Sequence, residues 1–259
     1  RRLLAAGKSS TGVELGPVPN RYQFLPSDGE CRSADDVDIS AADCIIALDA
    51  GAIERTPAFV AEWKQKVPVI NIDHHKSNTN FGDINWIDET ASSVGEMLCT
   101  LAATMDLMIN SAAAEALWVA IVTDTGRFSY SNTSQRTLQA AAGLLRTDID
   151  IAAINHTIYS AMPLRQLQLQ GRALQHLTTH EAGRVAVVTL SRDDYIELGC
   201  TSADAEDIVN LPRSLDGVYV AIFLHELLDE PGTKASLRTS EPYDAAEFCR
   251  LFDGGGHAR

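Results

Sequence analysis

Asp73-His74-His75 packs a carboxylate and two imidazoles into three consecutive residues, directly after the apolar run Val67-Pro68-Val69-Ile70-Asn71-Ile72. Such a run reads as a buried strand, and the carboxyl end of a strand in an open α/β sheet is where ligands bind. Three such groups are costly to bury unless a cation or an anion compensates them, so the tripeptide asks for a metal. The plainer alternative is a strand end whose Asp caps the next helix and whose histidines are solvated. Two further acids bear on the choice. Asp49 follows Cys44-Ile45-Ile46-Ala47-Leu48, and Asp124 closes Ala116-Leu117-Trp118-Val119-Ala120-Ile121-Val122-Thr123. Taken singly, each reads as a cap or turn residue. Parallel neighbouring strands, however, would bring Asp49 to the same sheet edge as the triplet, where Asp124 joins from a helix end, and this favours a metal site. Arg127, just past Asp124, offers a phosphate contact, with a solvated surface arginine as the alternative.

The elements that must position these residues alternate along the chain. Strands over 44–48 and 68–72 flank an amphipathic stretch from Pro57 to Lys66 with Phe59, Val60 and Trp63 at helical spacing. Further helices are expected over 92–108, from Asn110 or Ser111 to Thr123, and from Ser134 to Leu145. Strand, helix and strand in this order imply a doubly wound parallel sheet, assigned to residues 1–150. Residues 151–180 read as a helical linker with a break at Met162-Pro163 and an amphipathic run from Leu164 to Leu177. Strands over 185–190, 218–224 and 234–238 then mark a second, smaller α/β domain over 181–259. A cleft between domains is a favoured place for a ligand.

This second domain has its own candidate residues. Gly254-Gly255-Gly256-His257 would let the main chain approach an anion closely, with the histidine donating to a phosphate oxygen, although most glycine runs are simply turns. Ser236 and Arg238 alternate with Ala235 and Leu237, so both point from one strand face, and arginine is well shaped to clamp phosphate.

Composition narrows the classes. The chain has 259 residues, of which 45% are hydrophobic and 22% charged, enough core for two ordinary domains. No window approaches the ~18 apolar residues of a membrane span and no cleavable signal is visible, so a cytoplasmic protein without membrane partners is expected. The five cysteines are odd in number and widely spaced, which predicts reduced core residues and no disulfide framework. A net charge of −14 argues against wrapping long duplex nucleic acid, which takes many Lys and Arg contacts to phosphate. A short phosphorylated ligand remains compatible if divalent ions reverse the local field.

Together these residues resemble the DHH phosphoesterase family, and within it the bacterial bifunctional oligoribonucleases, or nanoRNases, that also act on 3′-phosphoadenosine 5′-phosphate. The resemblance runs through Leu48-Asp49, Asp73-His74-His75, Thr123-Asp124-Thr125-Gly126, Ser236-Leu237-Arg238 and Gly254-Gly255-Gly256-His257. It implies that Asp49 bridges two divalent ions, usually Mn2+ with Mg2+ or Co2+ as substitutes, while His74 and Asp124 complete the shell of one. It further implies that His75 contacts the scissile phosphate and that Asp73 holds the histidine pair in orientation. Two cations about 3.5–4 Å apart would activate water and neutralise charge building on phosphorus. Ser236, Arg238 and the glycine-histidine turn would hold the far end of a short RNA or nucleoside bisphosphate.

One departure stands out. The family's first motif, His-x-x-x-Asp-x-Asp after an amino-terminal strand, has no match here. The expectation is a chain truncated at both ends that keeps mainly the ligands of one metal and turns over little. The rival readings are a DHH inorganic pyrophosphatase, a RecJ-type exonuclease and a non-catalytic nucleotide sensor with an incomplete metal site; a homodimer stays open. Lys234 is the single lysine beyond residue 180, which disfavours the pyrophosphatase, and the negative charge disfavours the exonuclease.

Overall fold

The structure is a computed structural model and describes residues 10–14, 16, 18–25, 31–205 and 207–251. The expected glycine-histidine turn at Gly254, Gly255, Gly256 and His257 lies outside the described residues. The chain divides into two compact units, Arg1–Ser160 and Ala161–Arg259.

The first unit opens with a short parallel pair, β1 (Gly12–Glu14) and β2 (Cys31–Ser33). Its main sheet is parallel, in the order β3 (Ile45–Leu48), β4 (Val69–Asp73), β5 (Ile84–Ile87). Between β3 and β4 runs α1 (Ala58–Trp63), shorter than the expected Pro57–Lys66 and buried at Val60. Strand β4 is central, buried at four of its five residues, and ends on Asp73 itself. Strand β5 was not anticipated: four residues with Asn85 among them are too short and too polar to show a clear period.

Helices α2 (Val94–Thr104), α3 (Ser111–Asp124), α4 (Gln135–Leu144) and α5 (Ile151–Tyr159) follow. Each begins on a side-chain cap, Ser93, Asn110, Ser134 and Asp150 respectively, which accepts an otherwise orphaned backbone N–H. Trp118, Ile121, Val122, Leu144, Ile154 and Ile158 form the core that locks α3, α4 and α5 together and so fixes where α3 ends.

In the second unit, α6 (Leu164–Gln175) and α7 (Arg192–Leu198) join a four-stranded mixed sheet: β6 (Thr178–His180), β7 (Val185–Leu190), β8 (Val220–Glu226) and β9 (Thr233–Thr239). Strands β7 and β8 are parallel, and β6 and β9 are antiparallel to their neighbours. Short helices α8 (Asn210–Arg213) and α9 (Ala245–Arg250) complete it. Leu169, Ala173, Val188, Leu190, Tyr195, Ile208 and Phe223 make its separate core. The helical stretch 151–180 thus divides, α5 packing in the first unit and α6 in the second.

One expectation is corrected. Cysteines were expected in the core, yet Cys31 and Cys44 are exposed, Cys99 and Cys249 are half-buried, and Cys200 is buried; all are free. Among the described residues no helix is long and apolar enough to cross a membrane.

Candidate active site

Register brings the first three chemical groups to one place. Leu48 pairs with Ile72 across β3 and β4, and the N–H of Asp49 donates to the Ile72 carbonyl at 3.0 Å, so Asp49 arrives beside Asp73. There the backbone of Asp49 takes a left-handed conformation, φ 59°, which aspartate tolerates and most side chains resist. This ends the strand and swings the carboxylate toward the histidines. His74 Nε2 lies 3.4 Å from Asp49 Oδ1 and 3.7 Å from Asp124 Oδ2. His75 Nδ1 lies 3.8 Å from the same Asp49 oxygen. Asp49, His74 and His75 each offer one ligand atom, all within 4.8 Å of one another. The sequence reading grouped Asp124 with Asp49 and His74; the tightest trio contains His75 instead, and Asp124 approaches through His74.

The hydrogen bonds behind these atoms fix which nitrogen faces where. His74 Nδ1 is 3.2 Å from the Ala91 carbonyl. A carbonyl only accepts, so Nδ1 carries a proton and Nε2 turns toward the two carboxylates. His75 Nδ1 is 2.7 Å from Asp73 Oδ1, and Asp73 is wholly buried at the tip of β4. Burial alone would raise the Asp73 carboxyl, but hydrogen bonds from His75 and Asn78 outweigh it and hold the group below the ordinary carboxylate value. Asp73 is therefore an anion that orients an imidazole.

Charge at this edge is concentrated. Burial, then the neighbouring Asp49 carboxylate, pushes Asp124 up to about 6, with His74 and His75 pulling the other way. A hydrogen bond to Asp49 is the largest influence on His74, which rises to about 9 against its own burial. Two carboxylates competing for one imidazolium are short of positive charge. Carboxylate oxygen and imidazole nitrogen are the donors that manganese, magnesium and cobalt accept, so the residues present fit a divalent cation.

Several supporting residues escaped the sequence reading. Asn78 donates to Asp73 Oδ2 at 2.5 Å and to the Ala50 carbonyl at 3.2 Å, tying the Asp49 turn to the triplet. Its signal was faint: an asparagine in a polar loop five residues after Asp73 looks like any turn residue. Glu96 is fully buried and accepts from the Ser92 hydroxyl and backbone N–H, from Thr137, and from Arg136. Ser93-Val94-Gly95-Glu96 reads as a capping box, and Ser93 does cap α2, but the glutamate side chain turns to Ser92, Thr137 and Arg136. Asn132 donates to both the Ser92 and Asp124 carbonyls at 3.1 Å. Glu96 thereby ties the loop carrying Ala91, and with it His74, to α4, and Asn132 ties it to the end of α3.

The remaining candidates sit apart in sequence. Arg127 is exposed, with its guanidinium 4.7 Å from the Tyr159 ring centre. Ser236 and Arg238 share one face of β9, as their alternation predicts, opposite Phe223 and Ala221 of β8. Both are half-buried, and Arg238 Nη1 donates to the Leu237 carbonyl at 2.9 Å.

A scan of protein-family models finds no match. Among curated proteins the chain is 29% identical over 258 residues to the bifunctional oligoribonuclease and PAP phosphatase NrnA of Thermus thermophilus, covering 99% of this chain and 75% of that protein. It is 28% identical to the Bacillus subtilis protein of the same name, over 90% of this chain and 74% of the relative. Among solved structures, an exopolyphosphatase-related protein from Bacteroides fragilis shares the fold, with a TM-score of 0.92 at 24% identity over 99% of this chain and 78% of that one. The likeness to the Thermus protein spans nearly every residue, including the Asp73-His74-His75 tip of β4 and the Asp49 turn beside it.

Proposed function

We propose that this chain is a metal-dependent phosphoesterase that hydrolyses short oligoribonucleotides and 3′-phosphoadenosine 5′-phosphate, the activities named for its Thermus and Bacillus relatives. The observation that carries the reading is the convergence of Asp49 Oδ1, His74 Nε2 and Asp124 Oδ2, with His75 alongside, where β3, β4 and α3 end. Asp49, His74 and Asp124 would hold divalent cation, Mn2+ foremost. Cations bound there supply an acidified water and positive charge against the phosphoryl oxygens.

The protein's own residues do the rest. Asp73 keeps the proton on His75 Nδ1, which fixes the tautomer that His75 presents to a phosphate. The Ala91 carbonyl does the same for His74. Arg127 would steady a phosphate oxygen, and Ser236 and Arg238, on one face of β9, would offer a phosphate contact in the second unit. A cytoplasmic location suits these substrates.

The test is hydrolysis of a ladder of short RNAs and of 3′-phosphoadenosine 5′-phosphate with Mn2+ and with chelator, beside calorimetric titration of Mn2+. Asp49→Asn and His74→Ala should each weaken Mn2+ binding by at least about tenfold and reduce hydrolysis further. Unchanged Mn2+ affinity in both variants would overturn the metal site.

A further inference from the structure

Just past Asp124 the backbone enters the left-handed region three times in succession, at Gly126 (φ 53°), Arg127 (φ 60°) and Phe128 (φ 63°). Arginine and phenylalanine adopt it only when their surroundings impose it. Here they do. Phe128 is set edge-on against Trp118 of the core, ring centres 5.9 Å apart. Its N–H donates to Thr125 Oγ1, the Thr125 carbonyl accepts from both Ser129 and Tyr130, and the Arg127 N–H donates to Val122. With Phe128 anchored inward, the turn displays Arg127 and Tyr130 on the surface beside Asp124.

Tyr130 is 47% exposed, yet its ring lies directly on the turn: a Cβ at residue 126 would come within 2.3 Å of it, so the glycine is what lets the ring rest in this place. Next to it, the Arg127 guanidinium lies over Tyr159, whose hydroxyl donates to the Val122 carbonyl at 3.0 Å. Tyr22 and Arg21 also act electrostatically on Tyr159. Tyr130, Arg127 and Tyr159 therefore lie together at the segment that leaves Asp124, in a protein of net charge −14.

We propose that Tyr130, with the Arg127 and Tyr159 pair beside it, is a stacking subsite for a nucleobase of the substrate whose phosphate sits at Asp49, His74, His75 and Asp124. This rests on the phosphoesterase reading above and narrows its substrate to one that carries a base. A base stacks on a tyrosine face whatever its identity, and an arginine adds both a planar cation and a phosphate contact. Inorganic pyrophosphate or polyphosphate would gain nothing from the ring. A tyrosine serving only as surface would need neither the glycine beneath it nor three left-handed residues to hold it out.

The full chain is titrated with a dinucleotide carrying 2-aminopurine, whose fluorescence falls on stacking, while the tyrosine ring resonances are followed by NMR, that of Tyr130 being identified with Tyr130→Phe. Quenching is expected with the wild-type chain and with Tyr130→Phe, together with a shift of the Tyr130 resonance that inorganic pyrophosphate does not produce. Tyr130→Leu should lose the quench and bind on the order of tenfold more weakly. Absence of quenching, or a Tyr130 resonance that ignores the dinucleotide, overturns the subsite whether or not Tyr130→Leu folds. Quenching without Mn2+-dependent hydrolysis of any base-bearing ester would leave the subsite standing and remove the hydrolase.

Discussion

Asp73 touches no solvent and, by position, need touch no substrate, yet two other residues depend on it. It accepts from His75 and from Asn78, and Asn78 in turn holds the Ala50 carbonyl next to Asp49. Asn78 thus joins both strand ends. Replacing it with alanine removes a donor from a buried anion and frees the Asp49 turn, so Asn78→Ala should weaken Mn2+ binding or turnover by about ten- to hundredfold, as outer partners of ligands commonly do. Paired titration calorimetry and kinetics would show this; equal Mn2+ affinity and rate in variant and wild type would make Asn78 a mere loop residue. The chemical groups at this scale were legible in the sequence because rare residue types stood at strand ends. Asn78 was not legible, since nothing local distinguishes an asparagine that bonds across the sheet from one that bonds to its own turn.

At the scale of elements, α2 and α4 are joined through one buried carboxylate. Glu96 of α2 receives Thr137 and Arg136 of α4, and Arg136 also reaches Asp88 in the loop after β5. Burial would raise the Glu96 carboxyl, but hydrogen bonds from Thr137, Ser92 and Arg136 prevail and depress it below its ordinary value of 4.5. A depressed carboxyl contributes stability that is fully present above the unfolded value and is lost as pH falls through the folded one. Glu96→Gln sets an amide N–H₂ among donors and should cost about 2–4 kcal/mol near neutrality. The gap between variant and wild type should then shrink as pH falls below about 4.5. Urea melts across pH 3 to 7 check it; a gap independent of pH would sink the argument. The helices themselves were readable from their caps and apolar spacing, as Ser134 and Asn110 show. Strands β5 and β6 were not, because one is four residues long and the other, Thr178-Thr179-His180, is exposed throughout and lacks an apolar member.

Across the whole molecule, a net charge of −14 sets the terms on which a polyanion can approach. Proteins that bind nucleic acid through lysine and arginine lose affinity as salt rises. On the proposed function, the mean field would repel RNA while a local site attracts it, and repulsion would grow with every phosphate added. Salt should therefore help: kcat/KM for a pentanucleotide should rise between about 50 and 200 mM KCl at fixed Mn2+, and more steeply than for a dinucleotide. A steep fall for both would indicate a basic track of the usual kind. Helix α5 packs into a hydrophobic cluster of the first unit and α6 into that of the second, so the division of the chain falls after residue 160, between two helices whose sequences look alike.

The left-handed turn at Asp49 has a practical corollary for anyone who wants a silent version of this protein. Asparagine accepts that handedness as readily as aspartate does. Asp49→Asn can therefore switch off the negative charge without disturbing the chain trace, and whatever such a protein still captures can be read as genuine recognition uncoupled from chemistry. Valine or isoleucine at the same position would bend the backbone as well, and would leave cause and effect entangled.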